Sequence, residues 1–523
     1  MIKKFRNICL PELIWKESDS SLQKRRALKL KMIAWLALIG LTIVTPLLGA
    51  ETLNDGSTES ALEGEDMDTI PPEPGLGLAW EGDWYSFQLW GDVRNRLAYS
   101  KVDNDSLLNP DDIFDAPKWV NETESRLRFD GDIAQRLGLF VRARLGVAYL
   151  ESDDSQETNS IDELDQAYIT LNFEDEILMF FSVGKQRIRW GTAFYWNPVD
   201  TFNPRQELEE IEPIEEGGNA LRADLAFGSS SITGVVVPNS DSTSFSLENY
   251  TFEEGRTLVA GKFYTFLGNT DLTLYVSDRE SEAIRGGASF STVISNIQFF
   301  GEGIFWRGES ERVYVTRTSD RRSATDPVGN TQFTIPADFD FFTRDRSFTK
   351  FVLGFQYTYS SDLTLIGEYY YRGDGFDKRD MDEYIEFLEY AGGPYQDDVN
   401  STILANQRNP QLPIPVFPSQ ESLLKVGNGL YEFADLRRNY FHLSANQRYA
   451  YDKFDLSADL IVNLDDLFEG RGASLFLRPL IAYVAIPDWR FSLFNQLYVG
   501  ANDTEFGILP YDYSLFGEIR YFF

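Results

Sequence analysis

The sequence predicts an all-β fold, a closed antiparallel transmembrane β-barrel of about 18 strands, with a range of roughly 16–20 and long external loops. Three observations support this prediction. The N-terminal segment is basic and then apolar, as in an export signal. Segments in which apolar and polar residues alternate recur from residue 84 to the last residue. The connections between these segments alternate between short and long, which is typical of barrels inserted from the periplasm.

The first 50 residues indicate export. Basic residues precede an apolar run over 33–50, the order found in a secretory signal, with cleavage expected near Ala50. An uncleaved membrane anchor is the alternative, because Leu48 stands where a small residue usually precedes a cleavage site. Residues 51–82 are acidic and rich in proline, so we expect a flexible periplasmic leader. The predicted organisation is a signal over 1–50, the leader over 51–82 and a barrel over 83–523.

Composition excludes several kinds of site. The only cysteine is Cys9 and the only histidine is His442, so we expect no disulfide, thiolate metal site or histidine-rich metal centre. A net charge of −34 repels nucleic acid at long range. After the signal, no segment has the ~20 uninterrupted apolar residues that a membrane-spanning helix requires. The sequence therefore predicts no metal, no cofactor and no nucleic-acid partner.

Period-two alternation identifies the strands. In 85–100, for example, Phe87, Leu89 and Val93 share one parity, whereas Asp92 and Arg94 take the other. The predicted strands lie near 84–100, 122–134, 137–150, 164–173, 176–190, 219–228, 230–238, 257–267, 270–278, 284–293, 296–306, 348–359, 362–372, 437–450, 453–464, 471–486, 488–499 and 511–523.

The connections carry independent information. Those after even-numbered strands are short, such as Gln135-Arg136 and Gly268-Asn269. Those after odd-numbered strands are mostly long, at 101–121, 151–163, 191–218, 239–256, 307–347 and 373–436. A barrel that inserts into the membrane from the periplasm has short turns on the periplasmic side and long loops on the external side. A soluble β-sandwich has no reason to keep this parity.

The last strand ends in alternating apolar residues, with Tyr521 and the terminal Phe523 on one face. This resembles the C-terminal signature of bacterial outer-membrane proteins, which the barrel assembly machinery recognises. The resemblance implies that Tyr521 and Phe523 form an assembly signal. It also implies the outer membrane of a Gram-negative bacterium as the location, with membrane lipid, lipopolysaccharide and the assembly machinery as partners. Association into a homotrimer stays open.

The charged parity of the first three strands is predicted to line an aqueous lumen, because each arginine on a lipid face would cost ~2–4 kcal/mol near the midplane. Two roles remain open for this cluster. The arginines would attract anionic groups as a selectivity element, or they would pair with acidic residues of neighbouring strands and stiffen the wall. The predicted pore-lining residues are Arg94, Arg96, Arg126, Arg128, Arg142, Arg144, Asp130 and Asp132.

The most distinctive local sequence is Gly184-Lys-Gln-Arg-Ile-Arg-Trp-Gly191, followed by Asn197-Pro-Val-Asp200 and Asn203-Pro204. It resembles a motif of porin-like outer-membrane barrels, among them the alginate-export-type and related single-chain families. The resemblance implies the class of barrel rather than a substrate. The loop that begins here either enters the lumen and faces the arginines or remains an exposed acidic loop. The constriction-loop candidates are Trp190, Trp196, Glu207, Glu209, Glu210 and Glu212.

Two external loops, 307–347 and 373–436, exceed the ~12–15 residues usual for unstructured connections and are predicted to be lids or plugs. Residues 379–392 have helical spacing and end before Gly393-Pro394. Residues 409–418 are proline-rich and are expected to be extended.

His442-Leu-Ser444 resembles the His-x-Ser element of outer-membrane phospholipase A, which would imply a hydrolase. In that family the pair faces lipid, whereas here both residues share the polar parity that faces the lumen. The Asn-Gly step that follows the serine in that family is also absent. The sequence therefore predicts no catalysis.

These observations predict a channel for passive or facilitated diffusion of small hydrophilic solutes, in which the lumenal arginines would attract anionic groups while external carboxylates and loop 191–218 shape entry. Two alternatives remain. The alginate-export resemblance implies a channel that exports polysaccharide, and the long loops are compatible with an adhesin or receptor displayed on a blocked barrel. A TonB-dependent transporter is not expected, because residues 51–82 are too few for its plug domain.

Overall fold

The computed structural model describes residues 77–523, except 175–177, 204–215, 241–243, 247–250, 254–255, 281, 319–321, 326–331, 336–338, 394–419 and 452. The predicted signal and most of the predicted leader lie outside the described residues. The same holds for the proline-rich segment 409–418 and for four constriction-loop candidates, Glu207, Glu209, Glu210 and Glu212.

Eighteen antiparallel strands form one closed barrel, which confirms the predicted fold class. Each strand pairs with the next, and the last pairs back with the first through Arg520 opposite Arg94. The strands are β1 (Tyr85–Val102), β2 (Trp119–Ile133), β3 (Leu137–Glu151), β4 (Gln156–Glu174), β5 (Leu178–Gln186), β6 (Gly218–Phe227), β7 (Ser230–Ser240), β8 (Arg256–Leu267), β9 (Thr270–Arg279), β10 (Arg285–Ile294), β11 (Ile297–Glu309), β12 (Asp345–Thr358), β13 (Leu363–Arg372), β14 (Asn439–Ala450), β15 (Phe454–Asn463), β16 (Leu475–Tyr483), β17 (Trp489–Val499) and β18 (Tyr511–Phe522).

The bounds of several strands differ from the predicted ones by a few residues; β5, for example, ends at Gln186 and not at 190. Two differences involve longer segments. Leu78–Gly82, assigned above to the leader, form a short strand antiparallel to β1, with Leu78 opposite Leu89. The last strand pairs with β1 only as far as the C-terminus, where Phe523 and Gly91 form two backbone hydrogen bonds of 2.9 Å. The short strand pairs with the part of β1 that precedes Gly91. The loop predicted over 151–163 is only four residues, 152–155, because β4 begins at Gln156 and pairs with β3 from there. Polar residues on both faces of this part of β4 concealed the strand.

The outer face of the barrel is apolar. Along the strands every second side chain points outward, and many of these are large exposed hydrophobic residues: Val93, Leu97, Val141, Leu145, Ile169, Phe181, Leu221, Ile232, Val259, Leu274, Phe299, Leu353, Ile481, Leu493, Leu515 and Ile519. A closed ring of strands pairs all its backbone groups internally, as hydrocarbon requires. The protein is therefore a transmembrane β-barrel of the bacterial outer membrane. Among the described residues, no helix has the length and apolar character needed to cross a bilayer.

The described helices lie in the external connections. They are α1 (Lys378–Gly392), α2 (Gln420–Leu430), α3 (Leu464–Phe468) and a short 3₁₀ helix, Pro110–Asp112. The helix predicted over 379–392 is thus confirmed. It begins at Lys378 because the side chains of Asp377 and Asp380 form a reciprocal capping box. Short strand pairs also occur, at Tyr314–Arg317 with Phe339–Phe342, at Ser244–Ser246 with Thr251–Glu253, and at Arg322–Thr325 with Gln332–Ile335.

Several external segments pack into one body, which we call the external cap: residues 103–116, 310–317, 373–393, 420–438 and 500–510. Its side chains contact backbone groups of other segments. The amide of Asn428 donates to the carbonyl of Leu108 (2.8 Å), and the hydroxyl of Tyr384 donates to the carbonyl of Gly427 (2.9 Å). Its interior contains buried apolar residues, among them Leu108, Phe387, Leu388, Leu424, Phe506 and Ile508, together with buried charged residues such as Arg312, Asp374 and Glu505.

Candidate functional site: an inward loop and a lumenal charge network

The segment after β5 folds into the barrel. Residues 187–203, which we call the inward loop, bury Ile188, Trp190 and Phe202 against the inner wall. Trp190 lies 4.4 Å from the ring of Phe202 and 5.6 Å from that of Tyr275 on β9. The wall residues in this cluster are Ala220, Val235, Val237, Leu258, Ala260, Ile304, Trp306 and Phe348, from β6 to β12. The alternative of an exposed loop therefore does not hold for residues 187–203.

The distinctive motif shapes the inward loop through its own hydrogen bonds. Asn197 donates to the carbonyl of Trp190 (2.5 Å) and Asn203 donates to that of Ile188 (2.8 Å), which ties the two arms of the loop together. Asn203 also donates to the carboxylate of Asp200 (2.8 Å). Gly191 has φ 113°, and a Cβ there would lie 2.4 Å from both the Asn197 amide oxygen and a carboxylate oxygen of Glu302. This loop conformation thus requires glycine at position 191 and the hydrogen-bonding side chains of Asn197, Asp200 and Asn203.

Two buried carboxylates on the barrel wall hold the tip of the inward loop. Glu302 on β11 accepts the backbone N–H groups of Thr192 (2.5 Å) and Ala193 (3.1 Å). Glu368 on β13 accepts those of Phe194 (2.7 Å) and Tyr195 (2.9 Å). These four donors belong to non-helical backbone and need partners when buried. Because each of these four N–H groups has a carboxyl oxygen as its acceptor, the tip is fixed to β11 and β13.

The far side of the inward loop reaches β13 and β14. Trp196 stacks on Tyr370 with ring centroids 5.0 Å apart, and Tyr195 lies 4.5 Å from the ring of His442. The His442 Nδ1 atom is 3.2 Å from Glu368, and its Nε2 atom is 3.5 Å from Asp459. His442 is therefore on the lumenal face, as its parity predicted, where it is enclosed by carboxylates and aromatic rings.

The opposite part of the inner wall, on β18 and β1 to β4, carries a network of ion pairs. Arg94 contacts Glu122 (2.9 Å) and Glu124 (3.3 Å), and Arg96 binds Glu518 through two nitrogen atoms (2.9 and 3.0 Å). The remaining predicted arginines join the same face: Arg126 contacts Glu124 (2.6 Å), Arg144 contacts Asp165 (2.8 Å) and Arg128 contacts Asp130 (2.7 Å), while Arg142 lies opposite Arg128 in register.

Exposure divides these arginines into two groups. The Arg94 side chain is 4% exposed and that of its partner Glu124 is 1% exposed. The Arg128 side chain is 31% exposed, and its guanidinium lies between the rings of Trp90 (4.7 Å) and Phe140 (4.9 Å). A solute in the lumen can therefore reach Arg128 far more readily than Arg94.

The structure also adjusts the predicted set of residues. Asp132 accepts the backbone N–H of Gln135 (2.9 Å) and so stabilises the turn after β2. Glu122 and Asp165 were missed, although they lie on strands adjacent to the arginines. Glu518 was missed because it lies 422 residues from Arg96 in sequence. At the C-terminus, Tyr521 points outward, 4.9 Å from the ring of Trp489.

The sequence matches no protein-family model, and no curated protein matches it. Similar folds occur among solved structures. OccK11 (OpdR) of Pseudomonas aeruginosa is 8% identical with a TM-score of 0.45, over 83% of this chain and 95% of that one. OccK5 (OpdH) of the same organism is 9% identical with a TM-score of 0.46, over 83% and 97%. The P. aeruginosa outer membrane protein OprD is 10% identical with a TM-score of 0.41, over 83% and 94%. The resemblance to alginate-export-type barrels is not supported by these comparisons.

Proposed function

We propose that this barrel is a channel for the diffusion of small hydrophilic solutes across the outer membrane, with a preference for anionic groups. One arrangement carries the proposal. The inward loop follows the inner wall from β6 to β14, while the ion-pair network occupies the wall from β18 to β4. A solute that crosses the barrel passes between a rigid loop and a charged surface.

The size of the barrel supports a channel. Side chains fill barrels of about eight strands, whereas barrels of 16–18 strands enclose an aqueous interior. Since this barrel has 18 strands, an inward loop is needed to narrow the passage. Glu302 and Glu368 hold that loop in one position, so the width of the passage is set by the fold.

The anionic preference rests on the more accessible arginines. Arg94, Arg96 and Arg144 are each paired with buried carboxylates and mainly stiffen the wall. Arg128 and Arg142 lie side by side, and Arg128 is partly exposed beside a single aspartate. Paired guanidinium groups can bind a carboxylate or phosphate in a bidentate manner. We therefore propose that Arg128 and Arg142 act in selectivity and that the other arginines stiffen the wall.

The test is single-channel recording of the purified protein in a planar bilayer under a KCl gradient. We expect steady conductance with an anion-selective reversal potential, and a shift toward cation selectivity in the double variant Arg128→Gln/Arg142→Gln. The matched control is Lys378→Gln/Lys425→Gln, which removes the same charge from the external helices α1 and α2. A cation-selective wild type would contradict the anionic preference, and equal shifts in both double variants would contradict the assignment to Arg128 and Arg142.

The external cap supports one second candidate, a barrel whose mouth is closed until the cap is displaced, as in a gated exporter or a surface receptor. The cap has its own buried apolar core and touches the inward loop at Trp196. A wild-type barrel without conductance that opens when residues 373–436 are deleted would favour this candidate over the diffusion channel.

A further inference from the structure

The lipid-facing surface of β1 and β2 carries three exposed polar side chains. Asn95 on β1 stands opposite Thr123 on β2, and Asn121 is the next outward residue along β2. All three belong to the parity that points away from the lumen, because the intervening Arg94, Arg96 and Glu122 form the lumenal network. We call this group the amide patch.

The amide patch lies within the apolar belt. Its outward neighbours are Val93, Leu97 and Val147, with 39%, 45% and 50% of their surfaces exposed. The stacked pair Tyr99 and Trp119 marks the external end of these strands, with ring centroids 4.8 Å apart. Asn95 lies four residues inside Tyr99, about 13 Å along the strand. The patch therefore faces the level of acyl chains rather than that of lipid headgroups.

Hydrogen bonding within the amide patch is incomplete. The Asn95 amide N–H groups donate to the amide oxygen of Asn121 (3.0 Å) and the hydroxyl of Thr123 (2.9 Å). Among the described residues, none accepts a hydrogen bond from the amide nitrogen of Asn121, and none donates to the amide oxygen of Asn95. Acyl chains can do neither. The patch thus presents an unused donor beside an unused acceptor in a medium that penalises both.

We propose that the amide patch is the centre of a contact between copies of this chain. A second copy offers the same two groups, so the donor of one patch can meet the acceptor of the other. In a closed cyclic oligomer the same sector of every protomer faces the symmetry axis, which brings the patches together. The wall across the barrel is suited to lipid, because Leu274 and Val276 on β9 and Leu353 on β12 are exposed hydrocarbon.

The test uses spin labels on single cysteines. Cys9 is the only cysteine of the chain, so Cys9→Ser leaves one labelling site in each of the variants Leu97→Cys, which is beside the amide patch and leaves its three polar side chains in place, and Leu274→Cys. The two sites lie on β1 and β9, nearly opposite in an 18-strand ring. In bilayer nanodiscs we expect a short distance between labels of neighbouring protomers for Leu97→Cys, and a much longer distance for Leu274→Cys.

A second measurement tests the polar groups themselves. The variant Asn95→Leu/Asn121→Leu/Thr123→Val should raise the monomer fraction, measured by native mass spectrometry, by at least about tenfold. The control Leu353→Val on the opposite wall should leave the oligomer intact, and single-channel conductance should be kept in both. A wild-type monomer in native lipid, short distances only at Leu274→Cys, or an oligomer that survives the triple substitution would each overturn the proposal. So would a patch that bound lipopolysaccharide in a monomeric barrel.

Discussion

The indole N–H of Trp196 donates a hydrogen bond to the carbonyl oxygen of Ala434, over 2.9 Å. Trp196 belongs to the inward loop and Ala434 to the external cap, so this bond joins two elements that lie far apart in sequence. The same indole stacks on Tyr370 of the barrel wall. Both Trp196 and Ala434 are almost completely buried. Movement of the cap therefore cannot occur without affecting the side of the inward loop that faces β13.

Substitution of Trp196 tests this connection. Trp196→Phe keeps an aromatic ring on Tyr370 but removes the N–H donor, whereas Trp196→Ala removes both interactions and leaves a cavity that costs ~3–5 kcal/mol. We expect more frequent transitions between conductance levels in single-channel recordings, with the larger effect in Trp196→Ala. Trp489→Phe, an exposed position on the lipid face, is the control. Equal recordings for Trp196→Ala and wild type would show that the cap and the inward loop move independently.

The carboxylates that hold the loop tip can be tested one at a time. Glu368→Ala leaves the N–H groups of Phe194 and Tyr195 without acceptors, whereas Glu368→Gln keeps one neutral acceptor. Since a hydrogen bond to a charged group contributes ~1.5–3 kcal/mol, hydrogen exchange at residues 194 and 195 should accelerate by about 100-fold in Glu368→Ala and less in Glu368→Gln. Exchange in β15 and β16 provides the internal control. Unchanged exchange at residues 194 and 195 would mean that Glu368 does not hold the loop tip.

Arg94 and Arg128 should respond differently to substitution. Arg94→Ala leaves the buried Glu124 with one partner fewer, and loss of one member of a buried ion pair costs ~3–5 kcal/mol. Arg128→Ala breaks a partly exposed pair that contributes ~0–1 kcal/mol. Chemical unfolding followed by tryptophan fluorescence should therefore show a large destabilisation only for Arg94→Ala. If instead Arg128→Ala were the more destabilising change, the division into structural and accessible arginines would be incorrect.

The strands were predictable because each one carries its own evidence. A lipid-facing and a water-facing side impose period-two alternation on every spanning segment, and the sequence around Val93 and Arg94 shows this without reference to any other strand. Prediction failed where the alternation is absent. The first part of β4, around Ile161, carries polar residues on both faces, so it was taken for a loop.

The partners of the site residues were far less predictable. The sequence around Trp190 suggested a special loop, but nothing near it indicates that Glu302 and Glu368 receive its backbone, since both follow more than 100 residues later. The external cap presents the same difficulty, because its contacts join distant loops, as between Asn428 and Leu108. Such contacts depend on the closure of the whole ring, which a local pattern does not encode.

The external cap also contains a buried acid that makes its packing depend on pH. Glu505 accepts hydrogen bonds from the hydroxyl of Tyr440 (2.7 Å) and the amide of Asn463 (2.6 Å). Burial raises the pKa of Glu505 to about 8, and the nearby Asp466 carboxylate adds to the rise. Asp466 is in turn paired with Arg437, whose Nε atom lies 3.6 Å away. The packed cap therefore favours the protonated form of Glu505.

Because the pKa of Glu505 is higher in the packed cap than its ordinary value of 4.5, the stabilisation is complete below pH 4.5 and declines as the pH rises to about 8. Hydrogen exchange in residues 500–510, corrected for the intrinsic effect of pH, should therefore show the cap opening more often at pH 9 than at pH 5. Glu505→Gln mimics the protonated form and should abolish most of this dependence, while Glu421→Gln on the exposed surface of α2 should retain it. A cap that became more protected as the pH rose would mean that Asp466 and Arg437, rather than Glu505, govern its packing.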